Sequence, residues 1–199
     1  MCTLYNIKVS PEDLLAHFDA QDDWLVEPEK DYVAPAGPGL VVIQADGARY
    51  LIAMRWGFPP PPGAKAPVVN VRNHGSPFWR SALANPAQRC LVPGTEFSEW
   101  SAKRDGAKQA LHWFSIPSRP VFAFAGVWRP TETGPAFAFL TCDPNPLVGA
   151  IHPKAMPVIL AEEDHDLWLT GNFDAACGLA APYPSQLMAM RQADQGPGA

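Results

Sequence analysis

The chain has 199 residues, a formal net charge of −5 and 47% hydrophobic residues, seven tryptophans among them, which excludes a disordered or fibrous protein. That length fits one domain able to bury a real core. No apolar run approaches the ~18 residues that a membrane span needs, and no basic stretch precedes an apolar one, so the reading is a cytosolic protein without membrane association.

In chain order, Ser10-Pro11-Glu12-Asp13 supplies a capping hydroxyl, a proline at the first helical position and first-turn acids. A helix to about Phe18 is expected there. Residues 20–39 are rich in Pro, Gly and Asp and read as loop. Strands over 40–44 and 49–54 flank Asp46-Gly47, a hairpin signal. The run Pro59-Pro60-Pro61-Pro62-Gly63 excludes regular structure, and Ser76-Pro77 starts a short helix that ends before Asn85-Pro86. Further strands are expected over 88–92, 110–115, 121–128, 136–142 and 156–160, with a turn at Arg104-Asp105-Gly106. Helices follow over 162–169 and 174–179, and a polar tail without structure over 192–199. Many short strands, few helices and no repeated βαβ unit indicate an α+β fold. Its core is a curved or barrel-like, mostly antiparallel sheet in one domain over 1–191.

The four cysteines, Cys2, Cys90, Cys142 and Cys177, show no CxxC spacing and no clustered histidines. A structural zinc or a disulfide framework is not expected, and Cys90 and Cys142 read as core thiols. No metal and no cofactor is expected. Charge is unevenly spread: from Arg49 to Arg104 there are eight Lys/Arg against two acids, and elsewhere seven against eighteen. A basic middle in an acidic chain suggests one local anion site, or cations that merely solvate separate faces.

Cys2 follows the initiator methionine. Once Met1 is removed, one residue carries both an α-amine and a thiol, a 1,2-aminothiol that condenses with an aldehyde and closes to a thiazolidine. Unperturbed values of about 7.7–8.0 and 8.5 leave usable amine and thiolate near pH 7, and the ring closure is intramolecular. The plainer reading is an accident of start-site sequence.

Four segments carry further chemistry. In Met54-Arg55-Trp56-Gly57-Phe58-Pro59, Trp56 reads either as a base-stacking ring beside an arginine or as a core tryptophan at a strand end. In Val69-Asn70-Val71-Arg72-Asn73-His74-Gly75, alternation sets Asn70 and Arg72 on one face, an amide and a guanidinium suited to phosphate or sugar. In Thr95-Glu96-Phe97-Ser98-Glu99-Trp100, Glu99 lies between aromatics, where burial raises a carboxyl's pKa and fits it for proton transfer; a surface acid or a core ion pair is the alternative. In Ile151-His152-Pro153-Lys154-Ala155-Met156-Pro157, His152 is an acid–base candidate or a structural histidine.

These motifs, in this order, resemble the SRAP (SOS response-associated peptidase) domain family: Met-Cys, Arg-Trp-Gly-Phe-Pro, Asn-Val-Arg, Arg-Cys-Leu-Val-Pro with Phe-Ser-Glu-Trp, Phe-Ala-Gly-Val-Trp, and Ile-His-Pro-Lys-Ala-Met-Pro-Val-Ile-Leu. The resemblance implies a protein that recognises abasic sites in single-stranded DNA and crosslinks to them through the processed Cys2, in a lyase-like reaction. It implies that Asn70 positions Cys2 and the sugar, that Glu99 transfers protons, and that His152 promotes sugar opening and crosslink reversal. Arg72 and, more weakly, Lys154 are implied to bind phosphate, and Trp56 and Trp100 to support or stack the DNA. The partner implied is abasic single-stranded DNA, the acting form a monomer. The chain departs from the family pattern at Thr3-Leu4, where Gly-Arg is common, and at Ser98, where Tyr is common. It also lacks the Glu usual after the Asn-Ala-Arg segment, having Asn73-His74 nearby, and has one residue more between His152 and Met156. Two other readings stand beside this one: a cysteine peptidase, including self-removal of Met1, with His152 as base and Glu99 orienting it, and a non-catalytic single-strand binding module.

Overall fold

The structure, a computed structural model, describes residues 4–22, 30–60, 63, 65–101 and 109–193. Cys2 and the Arg104-Asp105-Gly106 turn lie outside the described residues. Among the described residues, fourteen strands and five α-helices follow in chain order: β1 (Tyr5–Asn6), α1 (Pro11–Phe18), β2 (Ala20–Asp22), β3 (Tyr32–Val33), β4 (Pro38–Ala45), β5 (Ala48–Trp56), β6 (Asn70–Val71) and α2 (Pro77–Ala84). The second half runs β7 (Arg89–Gly94), β8 (Glu96–Trp100), β9 (Leu111–Ser115), β10 (Phe122–Thr131), β11 (Gly134–Cys142), α3 (Pro146–Gly149), β12 (Met156–Pro157), β13 (Ile159–Leu160), α4 (His165–Thr170), α5 (Phe173–Gly178) and β14 (Ala189–Gln192).

Strands β4, β5, β11, β10 and β7 pair in a closed ring, all antiparallel except β5 with β11, and so form a five-stranded mixed barrel. Closure leaves these five strands without a free edge. A second, antiparallel sheet runs β14-β9-β8-β1-β3. Tyr5 joins the two: its ring meets Trp56, Phe124 and Phe139 edge-on, with centroids 5.1, 5.7 and 6.0 Å away. Those rings, with Phe97, Phe114 and Phe137, are fully buried.

Local chemistry explains the elements that the sequence marks. The Ser10 hydroxyl accepts the Asp13 N–H at 3.1 Å and starts α1. Asp46 and Gly47 both adopt positive φ, 49° and 79°, the geometry of a two-residue turn that matches strand twist. The expected strand over 156–160 is broken: β12 pairs with β11 and β13 with β10, because Val158 sits between them and bonds Leu140 and Ala125 instead. Two expectations are corrected. Residues 20–39 are not all loop, since β2 lies parallel to β5 and β3 antiparallel to β1. The chain also stays ordered past the expected start of its tail: Gln192 pairs with His112, and the Ala193 N–H donates to the Leu111 carbonyl at 2.9 Å.

Candidate functional site

β1 sits against β8, and the first described residues are pinned there. The Leu4 carbonyl accepts two bonds from Ser98, the backbone N–H at 2.9 Å and the hydroxyl at 3.1 Å. Two residues further, the Asn6 carbonyl accepts the Thr95 N–H at 2.8 Å and its hydroxyl at 3.1 Å. Glu96 adds a side-chain clamp, receiving Asn6 Nδ2 at 3.3 Å, Lys8 Nζ at 3.1 Å and Arg191 Nη2 at 2.6 Å. Ser98 thus holds Leu4 by its hydroxyl as well as its backbone.

Glu99 comes next on β8. Strand alternation turns it to the face shared with Phe97, and only 2% of it is exposed. Burial pushes its carboxyl up to about 7, because an ion so placed loses its hydration. His152 reaches this carboxyl from another part of the chain, with Nδ1 3.7 Å from Glu99 Oε2. That is longer than a hydrogen bond and within range of one after a small rotation or through one water. Burial first, then nearby positive charge from the N-terminal amine and Lys154, lowers the pKa of His152. Burial thus draws both members of the pair toward their neutral forms.

The turn that carries His152 is anchored by Asn145, which is 4% exposed. Its Oδ1 accepts the Val148 N–H at 2.9 Å and caps α3; its Nδ2 donates to the Tyr183 carbonyl at 2.7 Å. The His152 N–H then bonds the Val148 carbonyl at 2.8 Å. The Asn145-Pro146 pair is a helix-start signal, and it was the one sequence cue to this anchor.

Asn70 is buried and lies on β6 opposite Phe139 of β11, so it shares the face of the ring that contacts Tyr5. Arg72 is exposed and ion-pairs with Asp143, just beyond the end of β11. Lys154 is exposed. Trp100 is 42% exposed and, following Glu99 directly, points to the other face of β8.

Trp56 is corrected as a stacking surface. It is fully buried, its ring stacks on Phe139 at 5.2 Å, and its Nε1 donates to the Val69 carbonyl at 3.1 Å. It holds the Asn70 segment from inside. The basic middle is corrected as a single anion site: Arg49 bonds Phe18 O and Asp166, Arg80 packs on Phe173, and fully buried Arg89 packs on Trp168 and bonds the Gly171 carbonyl. Arg49 and Arg89 thus attach helices to the barrel, and Arg80 joins α2 to α5. Among the described residues, no group of three His, Cys, Asp or Glu could hold a metal, and no helix is long and apolar enough to cross a membrane.

Fold and site together define a single-domain α+β protein with a closed five-stranded barrel, whose first described residues are pinned to the strand that carries a buried carboxyl beside an imidazole. The model of the SOS response associated peptidase (SRAP) family matches residues 1–196, and the chain belongs to that family. Solved structures share the fold. One from Bacteroides thetaiotaomicron is 20% identical with a TM-score of 0.80, covering 96% of this chain and 91% of that one. A second, from Bordetella bronchiseptica, is 22% identical with a TM-score of 0.78 over 98% and 100%. A phage-related protein from the same organism is 23% identical, TM-score 0.78, over 98% and 95%. No curated protein matches the chain in sequence.

Proposed function

We propose that this protein traps the aldehyde of abasic sites in single-stranded DNA as a thiazolidine on Cys2, exposed by removal of Met1. The observation that carries the reading is the buried Glu99 beside His152, on the strand to which the start of the chain is tied through Leu4. Two peptide units separate Leu4 from Cys2, a reach of at most about 7 Å.

The chemistry needs a group that gives and takes a proton near pH 7. The α-amine adds to the aldehyde, the resulting hydroxyl leaves as water, and the thiol adds to the same carbon; one water is lost overall. A carboxyl held at about 7 by burial can protonate the departing hydroxyl and then, ionised, accept the thiol proton. His152, neutral at that pH, can take a proton from the sugar hydroxyl during ring opening or from Glu99 between steps. Asn70 offers an amide to the sugar, while Arg72 and Lys154 offer charge to phosphates, Arg72 by exchanging Asp143 for DNA. Trp100 offers an exposed ring to a base.

The family's name favours a peptidase as the second reading, with a Cys2 thiolate, His152 as base and Glu99 as orienter. An ionised orienter suits Glu99 less well, since burial favours its neutral form. Incubation with an abasic single-stranded oligonucleotide is expected to give a denaturation-resistant band that Cys2→Ala abolishes. Steady turnover of unrelated peptides with no such band would support the peptidase instead.

A further inference from the structure

The register of β8 and β9 places His112 directly opposite Glu99. Residues so opposed point to one face, with Cβ atoms about 5 Å apart. The preceding pair on that face is Phe97 with Phe114, whose rings stack at 5.1 Å. Along this face the apolar core therefore gives way, in one step, to a carboxyl beside an imidazole. His112 is 8% exposed, and its buried Nδ1 has no hydrogen-bond partner among the described residues. A position that only filled space would be served better by an apolar side chain, since buried polar atoms ordinarily find partners.

We propose that His112 is a positioning residue for Glu99: with His152 it flanks the carboxyl group, and its imidazole sets the protonation state that Glu99 holds when the aldehyde reacts. The proposal rests on the aldehyde-trapping reading for the reaction, and on the β8–β9 register for the pairing itself. The chain's N-terminal amine favours the ionised form of Glu99, and the other groups among the described residues that bear on it are few. His152 approaches from the turn after α3, Lys154 acts through His152, and Gln192, opposite His112 on β14, is uncharged. Glu96 and Arg191 lie on the other face of the sheet, paired with each other. The unpartnered Nδ1 of His112 can accept a hydrogen bond from the acid form of Glu99 and so hold the proton there until the hydroxyl departs.

The test is a carboxyl ¹³C titration of Glu99 in the wild-type protein, His112→Phe and His112→Gln, run beside adduct formation with abasic single-stranded DNA from pH 5 to 9. Both variants are expected to move the Glu99 midpoint down by about one unit, since each takes away the imidazole acceptor for the acid form. The adduct rate at pH 7 is expected to fall by up to about tenfold, one unit being tenfold in the ratio of the two forms. His112→Gln keeps a polar side chain and decides the question if His112→Phe does not fold. An unchanged Glu99 midpoint in a folded variant overturns the proposal, whatever the DNA result. A wild-type protein that forms no adduct counts against the aldehyde reading alone, because the titration still reports whether His112 acts on Glu99.

Discussion

Glu99 and His165 show what the same burial does in two parts of this molecule. Each is nearly inaccessible, at 2% and 5% exposure, and each is driven toward its neutral form: Glu99 up to about 7 and His165 down to about 4. Around His165 burial acts first, and the charges of Arg49, His17 and Arg119 add to it. Its ring lies against Phe18 at 5.7 Å, at the start of a helix that Arg49 ties down through Asp166. Glu99 instead has an imidazole 3.7 Å away and a second one across the strand. Burial drives both groups toward the neutral form, and on the proposed reading the imidazole beside Glu99 is what turns a buried acid into one that exchanges its proton.

The two groups also act oppositely on stability. The folded state holds a proton on Glu99 that the unfolded chain has released, so this group lowers stability as pH rises from about 4.5 to about 7. His165 binds its proton less readily when folded, so its contribution is lost as pH falls from about 6.5 toward 4.

The sharpest way to break the contrast is Glu99→Gln. Adduct formation should slow about 100-fold or more, while stability above pH 7, read by denaturant unfolding, should rise by up to about 3 kcal/mol. A variant with wild-type rate would place the chemistry elsewhere. His165→Phe should do the reverse, leaving the adduct rate unchanged and flattening the loss of stability between pH 6.5 and 4 by up to about 3 kcal/mol. Asn145→Ala should lower stability by about 2 kcal/mol, through a lost cap and an unpaired Tyr183 carbonyl, and should also slow the adduct step by loosening His152. Smallest is Arg72→Ala: its exposed pair with Asp143 should be worth under about 1 kcal/mol in unfolding. Its mark should be on DNA, where the salt dependence of binding falls by about one counterion.

What could be read in the sequence follows the range of the interactions involved. The cap at Ser10, the Asp46-Gly47 turn and the short apolar runs of the barrel strands are local, and each was legible. The candidate residues Asn70, Glu99 and His152 were legible because their neighbours along the chain are distinctive. Register and closure were not. Nothing near residue 112 indicates that it faces Glu99, since that depends on how β8 and β9 are aligned across the undescribed residues 102–108. Trp56 misled for a related reason: an Arg-Trp pair looks the same whether its strand end points out or, as here, against Phe139. The basic middle misled because a guanidinium with a long stem can serve the core, as Arg89 does on Trp168.

The most direct test of the central claim is the intact mass of the product formed with an abasic single-stranded oligonucleotide. The account predicts one adduct equal to the protein without Met1 plus the oligonucleotide minus one water, absent from Cys2→Ala. An adduct that retains Met1, or one that Cys2→Ala forms equally well, would contradict it.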